Sequence, residues 1–315
     1  MNNEALVSII INNYNYGHFL AKAINSALNQ TYPYIEVIVV DDGSTDNSRE
    51  IMASYGKKII AVYKENGGQA SAINAGFNIS KGSIICLLDA DDFFVDHKVK
   101  QIVKIMNQKS NLGWCFHKLK LVDSTGKILG TTRTLRNTSH ENSFSGDFRL
   151  DMRKGKIRFY PPSTSGLCFT RSLLEKILPM PEIFTHTSAD RYIRYAAIAL
   201  DRGYFLNEEL TWQCIHGNNA ATLRQDLDNN NSREIIAAYC LRLKFPELAK
   251  FTNRMFARGL SFYWKNPNPT EYESIISQYF SSVSLPEKVI IFLIAIYRSL
   301  PWKKVYSHDL FEVTK

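Results

Sequence analysis

Val37-Ile38-Val39-Val40-Asp41-Asp42-Gly43-Ser44-Thr45-Asp46 runs four apolar residues into two carboxylates, a glycine and a cluster of small polar residues. The apolar run predicts a strand buried on both faces, as in a parallel sheet. The acidic segment then turns the chain at the strand's carboxyl end, where open α/β sheets bind ligands. A plainer expectation stands beside this one: Gly43 makes a turn, and Ser44 or Asp46 caps the next helix.

Working outward, Val7–Ile11 predicts a first strand ending in the polar, aromatic loop Asn12-Asn13-Tyr14-Asn15-Tyr16-Gly17. Apolar residues at helical spacing follow from Phe19 to Leu28, and Pro33 stops that helix. Strand, helix, strand implies a right-handed parallel unit. The pattern continues with a helix from Asp46 to near Gly56, a strand at Ile59–Tyr63, a loop at Lys64–Gln69 and a helix at Ala70–Ile79. A fourth strand, Ser83–Leu88, ends in Asp89-Ala90-Asp91-Asp92. Carboxylates at the ends of two parallel strands share one rim of the sheet. A helix start would welcome one or two of these acids. Three in four residues repel one another, which suggests a cation, and all-oxygen ligands suit Mg²⁺ or Mn²⁺.

Composition narrows the classes. A chain of 315 residues, 45% hydrophobic, can bury a large core, and the length suggests roughly two domains. The five cysteines, Cys86, Cys115, Cys168, Cys214 and Cys240, form no close pair. That suits buried thiols in a reducing compartment rather than a disulfide framework or a zinc site. No charged leader and apolar segment precede the first strand, so a cytoplasmic location is expected. The net charge of +8 suits phosphates or an anionic membrane face. No nucleic-acid motif accompanies it, so a nucleic-acid partner is not expected.

Five motifs in order carry a resemblance: Ser8-Ile9-Ile10-Ile11-Asn12-Asn13-Tyr14-Asn15; Gln30-Thr31-Tyr32-Pro33; Val39-Val40-Asp41-Asp42-Gly43-Ser44-Thr45-Asp46; Asn66-Gly67-Gly68 with Asn74-Ala75-Gly76; and Leu88-Asp89-Ala90-Asp91-Asp92. Together they resemble the family 2 inverting glycosyltransferases of the GT-A fold, over about residues 7–100. The resemblance implies an α/β fold with a mostly parallel central sheet flanked by helices. It implies a nucleoside-diphosphate sugar donor, usually UDP-linked, and a divalent metal. By position, Asn12 and Tyr14 border the nucleobase, Asp42 accepts from the base and Asp41 supports that loop. Asn74 belongs to the same donor half. Asp89 and Asp92 face the ribose and diphosphate, and Asp91 faces the metal, with His216 as a second candidate ligand. Pro161–Phe169 borders the donor sugar and acceptor.

Asp190, in the first turn of a helix through Ala199, is the implied catalytic base, and a dipole-matching carboxylate is its plainer role. Relatives carry Glu-Asp there and an Arg before the histidine. This chain has Ala189-Asp190 and Gln213-Cys214-Ile215-His216. Those departures keep a non-catalytic sugar-nucleotide-binding protein open, and the carboxylates alone also suit a nucleotidyltransferase. A dinucleotide oxidoreductase is disfavoured, because the first loop lacks Gly-x-Gly-x-x-Gly.

The expected organisation is a catalytic domain over 1–225, in a nucleotide-sugar half (about 1–110) and an acceptor half (about 111–225), followed by a helical region at 226–315. Cys115–Val122 and Ile128–Gly130 predict a hairpin. The basic stretch from Arg133 to Lys156 reads as a lid or a surface excursion. The acceptor is expected to be a glycan or a lipid-linked molecule. Pro286-Glu287-Lys288 opens a helix whose body, Val289–Tyr297, is apolar nearly all round and precedes Arg298, Trp302, Lys303 and Lys304. It reads as a core or partner-facing helix, or as a peripheral membrane contact over 286–305 at the inner face of the membrane.

Overall fold

The structure, a computed structural model, describes residues 4–109, 111–132, 142–182, 189–216, 233–265, 271–300 and 311–313. Four parallel strands form its first half: β1 (Val7–Asn13), β2 (Ile35–Asp42), β3 (Ile60–Lys64) and β4 (Ile84–Asp89). They lie in the order β4-β1-β2-β3. Each connection carries a helix: α1 (Gly17–Leu28), α2 (Ser48–Ser54) and α3 (Gly68–Ile79). The expected strand–helix alternation is present, with shifts of a residue or two at the ends.

Beyond β4 the pairing changes. After a two-residue β5 (Phe93–Phe94) and α4 (Lys98–Gln108) come β6 (Trp114–Asp123), β7 (Ile128–Thr132), β8 (Phe144–Gly146), α5 (Arg149–Arg153), β9 (Leu167–Thr170), α6 (Arg171–Ile177), α7 (Ala189–Leu200) and β10 (Gly203–Ile215). β9 inserts antiparallel between β4 and β6, and β6 and β7 form the predicted hairpin. Only β10 pairs parallel in this half, along β6. The sheet thus adds antiparallel neighbours in its second half to the parallel core of its first, β7 through a hairpin with β6 and β9 through a long connection. β10 runs unbroken through its polar middle, with register shifts against β6 around Glu209.

Alternate residues of the central strands face opposite cores. Ile9, Ile11, Val37, Val39, Cys86 and Leu88 pack under Leu20, Ile24 and Ala27 of α1 and Val99 and Ile102 of α4. Ile10, Ile38, Val40, Ile85 and Leu87 pack under α3, α6 and α7. The same second core takes in α8 (Glu234–Lys244), α9 (Ala249–Tyr263), α10 (Glu271–Ser281) and α11 (Leu285–Ser299). The boundary expected at 225 falls outside the described residues. Past it, the C-terminal helices share the apolar core of the sheet. A last strand, β11 (Phe311–Val313), pairs antiparallel with β7.

Part of the stretch expected as a lid is packed structure. Residues 133–141 lie outside the described residues, but Phe144, Phe148 and Phe159 form a ring cluster with Phe205, and Met152 is fully buried. The basic residues dominated the sequence pattern, yet three phenylalanines decide the packing.

Gly76 sets how closely α3 lies on the sheet. A Cβ there would stand 2.5 Å from Ile10 Cγ2 and 3.2 Å from Val40 Cγ2. Overpacking of this kind costs about 1–3 kcal/mol. Gly76→Ala is therefore expected to lower the unfolding free energy by about that amount, read as a lower urea midpoint at unchanged slope; an unchanged midpoint would show that α3 moves away at no cost.

Candidate active site

Parallel register builds one rim. Asn12 of β1 lies opposite Asp89 of β4, and Asn13 lies opposite Asp41 of β2. Two spacings of about 4.8 Å then separate the two acidic strand ends. Asn13 Nδ2 donates to Asp41 Oδ1 and to Ser44 Oγ, each at 3.2 Å. Arg49 Nε donates to Asp41 Oδ2 at 2.8 Å. Asp42 is buried and accepts from Lys64 Nζ at 2.6 Å and from the backbone N–H groups of Gly67 (3.0 Å) and Gly68 (2.7 Å). Gly43 turns the chain with φ +80°, where a Cβ would meet Asn66 N at 2.7 Å. Neither Ser44 nor Asp46 caps α2, whose N-cap is Asn47 without a side-chain bond; Asp46 Oδ1 accepts from Ser48 N at 3.0 Å in a turn just ahead of the helix. Asp41 and Asp42 instead tie the rim loops together. Asn15 Oδ1 accepts from Thr45 N at 2.7 Å, which clamps the β1 loop to the β2 loop and leaves Tyr14 45% exposed.

Asp89-Ala90-Asp91-Asp92 does not open a helix. It turns between β4 and β5, and α4 begins only at Lys98. Carboxylate oxygens of Asp89, Asp91 and Asp92 lie within 4.8 Å of one another. Asp89 Oδ1 accepts from Asn12 Nδ2 at 3.0 Å and Gln69 Nε2 at 2.8 Å. His216 Nε2 lies 3.2 Å from Asp91 Oδ2, its ring stacked on Phe19 at 4.7 Å between centroids. Asp92 turns inward: its two oxygens accept from Ser165 Oγ at 2.6 Å and Cys214 N at 3.0 Å. Burial, with the neighbouring charge of Asp91, pushes the Asp89 carboxyl up to about 7. The same causes push Asp92 up. A hard divalent cation fits this set, because it would relieve crowding that protein hydrogen bonds leave in place.

Asp190 opens α7, with Arg194 Nη1 3.1 Å from its Oδ2. Its charge reaches Asp89 and helps raise that carboxyl. The expected base is thus in electrostatic reach of the acidic cluster. Ala189 is buried where the related pattern has a glutamate. Asn74 lies apart from this group, its amide bonded to both backbone groups of Met180 and to Glu182.

Four supporting residues escaped the sequence. Arg194 Nη1 also donates to the carbonyls of Pro161 and Pro162, at 3.3 and 2.9 Å. Gln69 joins Asp89 to Thr164 Oγ1, at 3.1 Å. Ser165 joins Asp92 to the backbone of Asp89, whose N–H donates to its Oγ at 3.1 Å. Beneath them Lys98 is fully buried, donating to Ser165 O at 2.9 Å and Thr211 Oγ1 at 3.3 Å. Burial pulls its ammonium below the usual lysine range. Pro161–Phe169 was marked as a segment, so Thr164 and Ser165 were within sight. Lys98 was not, since a lysine at a helix start reads as solvated.

The Glycosyl transferase family 2 model matches residues 8–178. An uncharacterized glycosyltransferase of Nostoc is 35% identical over 243 residues, 74% of each chain. One from Rickettsia prowazekii is 47% identical over 106 residues, 34% of this chain and 33% of that protein. Among solved structures, S. aureus TarS 1–349 in complex with UDP-GlcNAc superimposes with a TM-score of 0.62 at 16% identity, covering 93% of this chain and 88% of that one. That likeness shows the fold.

The raised carboxyl of Asp89 makes a stability prediction. A group that holds its proton more tightly in the folded state favours folding at low pH. This contribution falls as pH rises from about 4 through about 7 and is absent above that. In metal-free buffer Asp89→Asn is expected to be more stable than the parent at pH 8, with the gap closing by pH 4. Urea melts at both pH values measure it; a variant less stable at pH 8 would show the Asp89 carboxylate to be well compensated.

Proposed function

The chain belongs to glycosyl transferase family 2 and is a glycosyltransferase; we propose that it moves a sugar from a UDP-linked donor to an acceptor hydroxyl with inversion. The reading is carried by the oxygen-ligand cluster of Asp89, Asp91 and Asp92 at the end of β4, with Asp190 in the first turn of α7 near enough for its charge to contribute to the raised Asp89 carboxyl. The UDP-GlcNAc complex of TarS supports the choice of donor.

In this reading Asn12, Tyr14, Asp41 and Asp42 frame the nucleobase. The exposed ring of Tyr14 offers a stacking face. Asp89, Asp91 and His216 face the diphosphate, and Asp91 and His216 would hold Mg²⁺ or Mn²⁺. That ion, when bound, offsets charge developing on the departing diphosphate. Asp92 acts from beneath, fixing the turn through Ser165 and Cys214. Asn74 supports the donor half indirectly by fixing Met180.

The acceptor oxygen forms a bond to the anomeric carbon while the bond from that carbon to the diphosphate oxygen breaks. The electron pair leaves with the nucleoside diphosphate, and the hydroxyl proton passes to Asp190. Attack opposite the leaving group turns an α-linked donor into a β-product. Arg194 holds the Asp190 carboxylate in place and ties it to the Pro161–Pro162 backbone.

Two outcomes test this. With a UDP-sugar that the enzyme accepts, Asp190→Asn is expected to lower turnover by about 10²–10⁴-fold and to leave donor binding intact by calorimetry. Loss of donor binding would move Asp190 into the donor site. Asp91→Asn is expected to cut UDP release by about 10²-fold or more, and EDTA to abolish release until Mn²⁺ or Mg²⁺ is restored. Full turnover in EDTA would remove the cation from the mechanism.

A further inference from the structure

α11 is amphipathic in an unusual sense. Its inner face is small, with Ile291 and Ala295 fully buried against the core. Its first turn is pinned by Ser284 and Glu287 in a capping box. Glu287 also turns inward to Asn253, at 2.9 Å, and Arg242, at 3.0 Å. Every position that α11 exposes is apolar. Leu285 (74% exposed), Val289, Ile290, Phe292, Leu293, Ile296 and Tyr297 range from 41% upward, and Pro286 joins them. An ordinary surface helix carries its polar residues on this side.

The patch extends beyond the helix. Phe292 stacks on Phe280 at 4.9 Å, and Trp264, 38% exposed, lies parallel to Phe292 at 6.2 Å. Basic residues flank it, while the one acid of the helix, Glu287, is engaged by Asn253 and Arg242. Lys288 stands in the first turn, Arg298 in the last and Lys265 beside Trp264. Lys303 and Lys304 follow in the chain, outside the described residues. From residue 233 onward, 12 Lys or Arg face 7 Asp or Glu.

We propose that this face seats the enzyme on an anionic lipid surface, with α11 lying in the plane of the headgroups. No helix among the described residues is long and apolar enough to cross a membrane. A helix of 15 residues is about 22 Å long, which suits a helix lying flat. Trp264 and Tyr297 then occupy the headgroup level, where amphipathic rings collect, and the basic collar meets anionic headgroups. A second copy of the chain is a poorer fit. Two such faces would bring Lys265 and Lys288 of each copy toward those of the other, and like charges across an interface oppose pairing. The inference stands apart from the transfer reaction and survives any choice of donor.

Flotation of the full chain with vesicles of phosphatidylcholine, alone or with phosphatidylglycerol, tests it. The expected result is flotation with the anionic vesicles at low salt, weakened at least several-fold by high salt. Ile290→Gln with Leu293→Gln should cut the bound fraction about tenfold while leaving the urea midpoint and the far-UV spectrum unchanged. Both side chains are more than half exposed, so neither supports the core. Protein that stays in solution at low salt overturns the proposal, as does equal flotation with neutral vesicles. So does a concentration-dependent dimer, seen by sedimentation, that the double variant abolishes.

Discussion

The site depends on β1 pairing in register with strands on both sides. Parallel pairing is one-directional, so the carboxyl ends of β2, β1 and β4 arrive at the same edge. A slip of one residue would turn Asn12 and Asp89 to opposite faces. Such a slip is blocked, because it would also exchange the residues of the two cores. Burial of isoleucine and valine on both faces thus sets the geometry of polar groups that contribute nothing to that burial.

The rim bears a cost that the surrounding residues limit. Three carboxylates in one turn repel, and burial compounds this, as the raised Asp89 and Asp92 show. Hydrogen bonds from Asn12, Gln69, Ser165 and the Cys214 backbone keep the turn in one arrangement. Lys98 adds a buried positive charge one layer below. A turn so held has little conformational freedom left to lose on binding a ligand. Such a region is expected to be less stable than the core beneath it.

The second core explains how the C-terminal helices belong to the enzyme. α8 to α11 cover the sheet face that α3, α6 and α7 leave incomplete, and Arg258 pairs with Glu234 between α9 and α8. α7, which carries Asp190, is therefore wedged between the sheet and this helical layer. Asp190 is thereby carried on a helix packed into that core, and α11 keeps an apolar side exposed.

The local chemistry of this protein was legible from sequence alone. Period-two burial, a glycine turn and carboxylates at strand ends are short-range patterns, and they marked Asp41, Asp42, Asp89, Asp91 and Asp92. They could not say that Asp92 turns inward, since that depends on Ser165, 73 residues away. Nor could they reveal Gln69, Lys98 or Arg194, whose roles arise from contacts between elements far apart in the chain. The antiparallel second half was hidden for the same reason, because strand direction follows from connection geometry that periodicity does not record. The C-terminal helix shows the division most clearly: its apolar composition is a property of the sequence, but which side stays uncovered was decided only when Ile291 and Ala295 found the core.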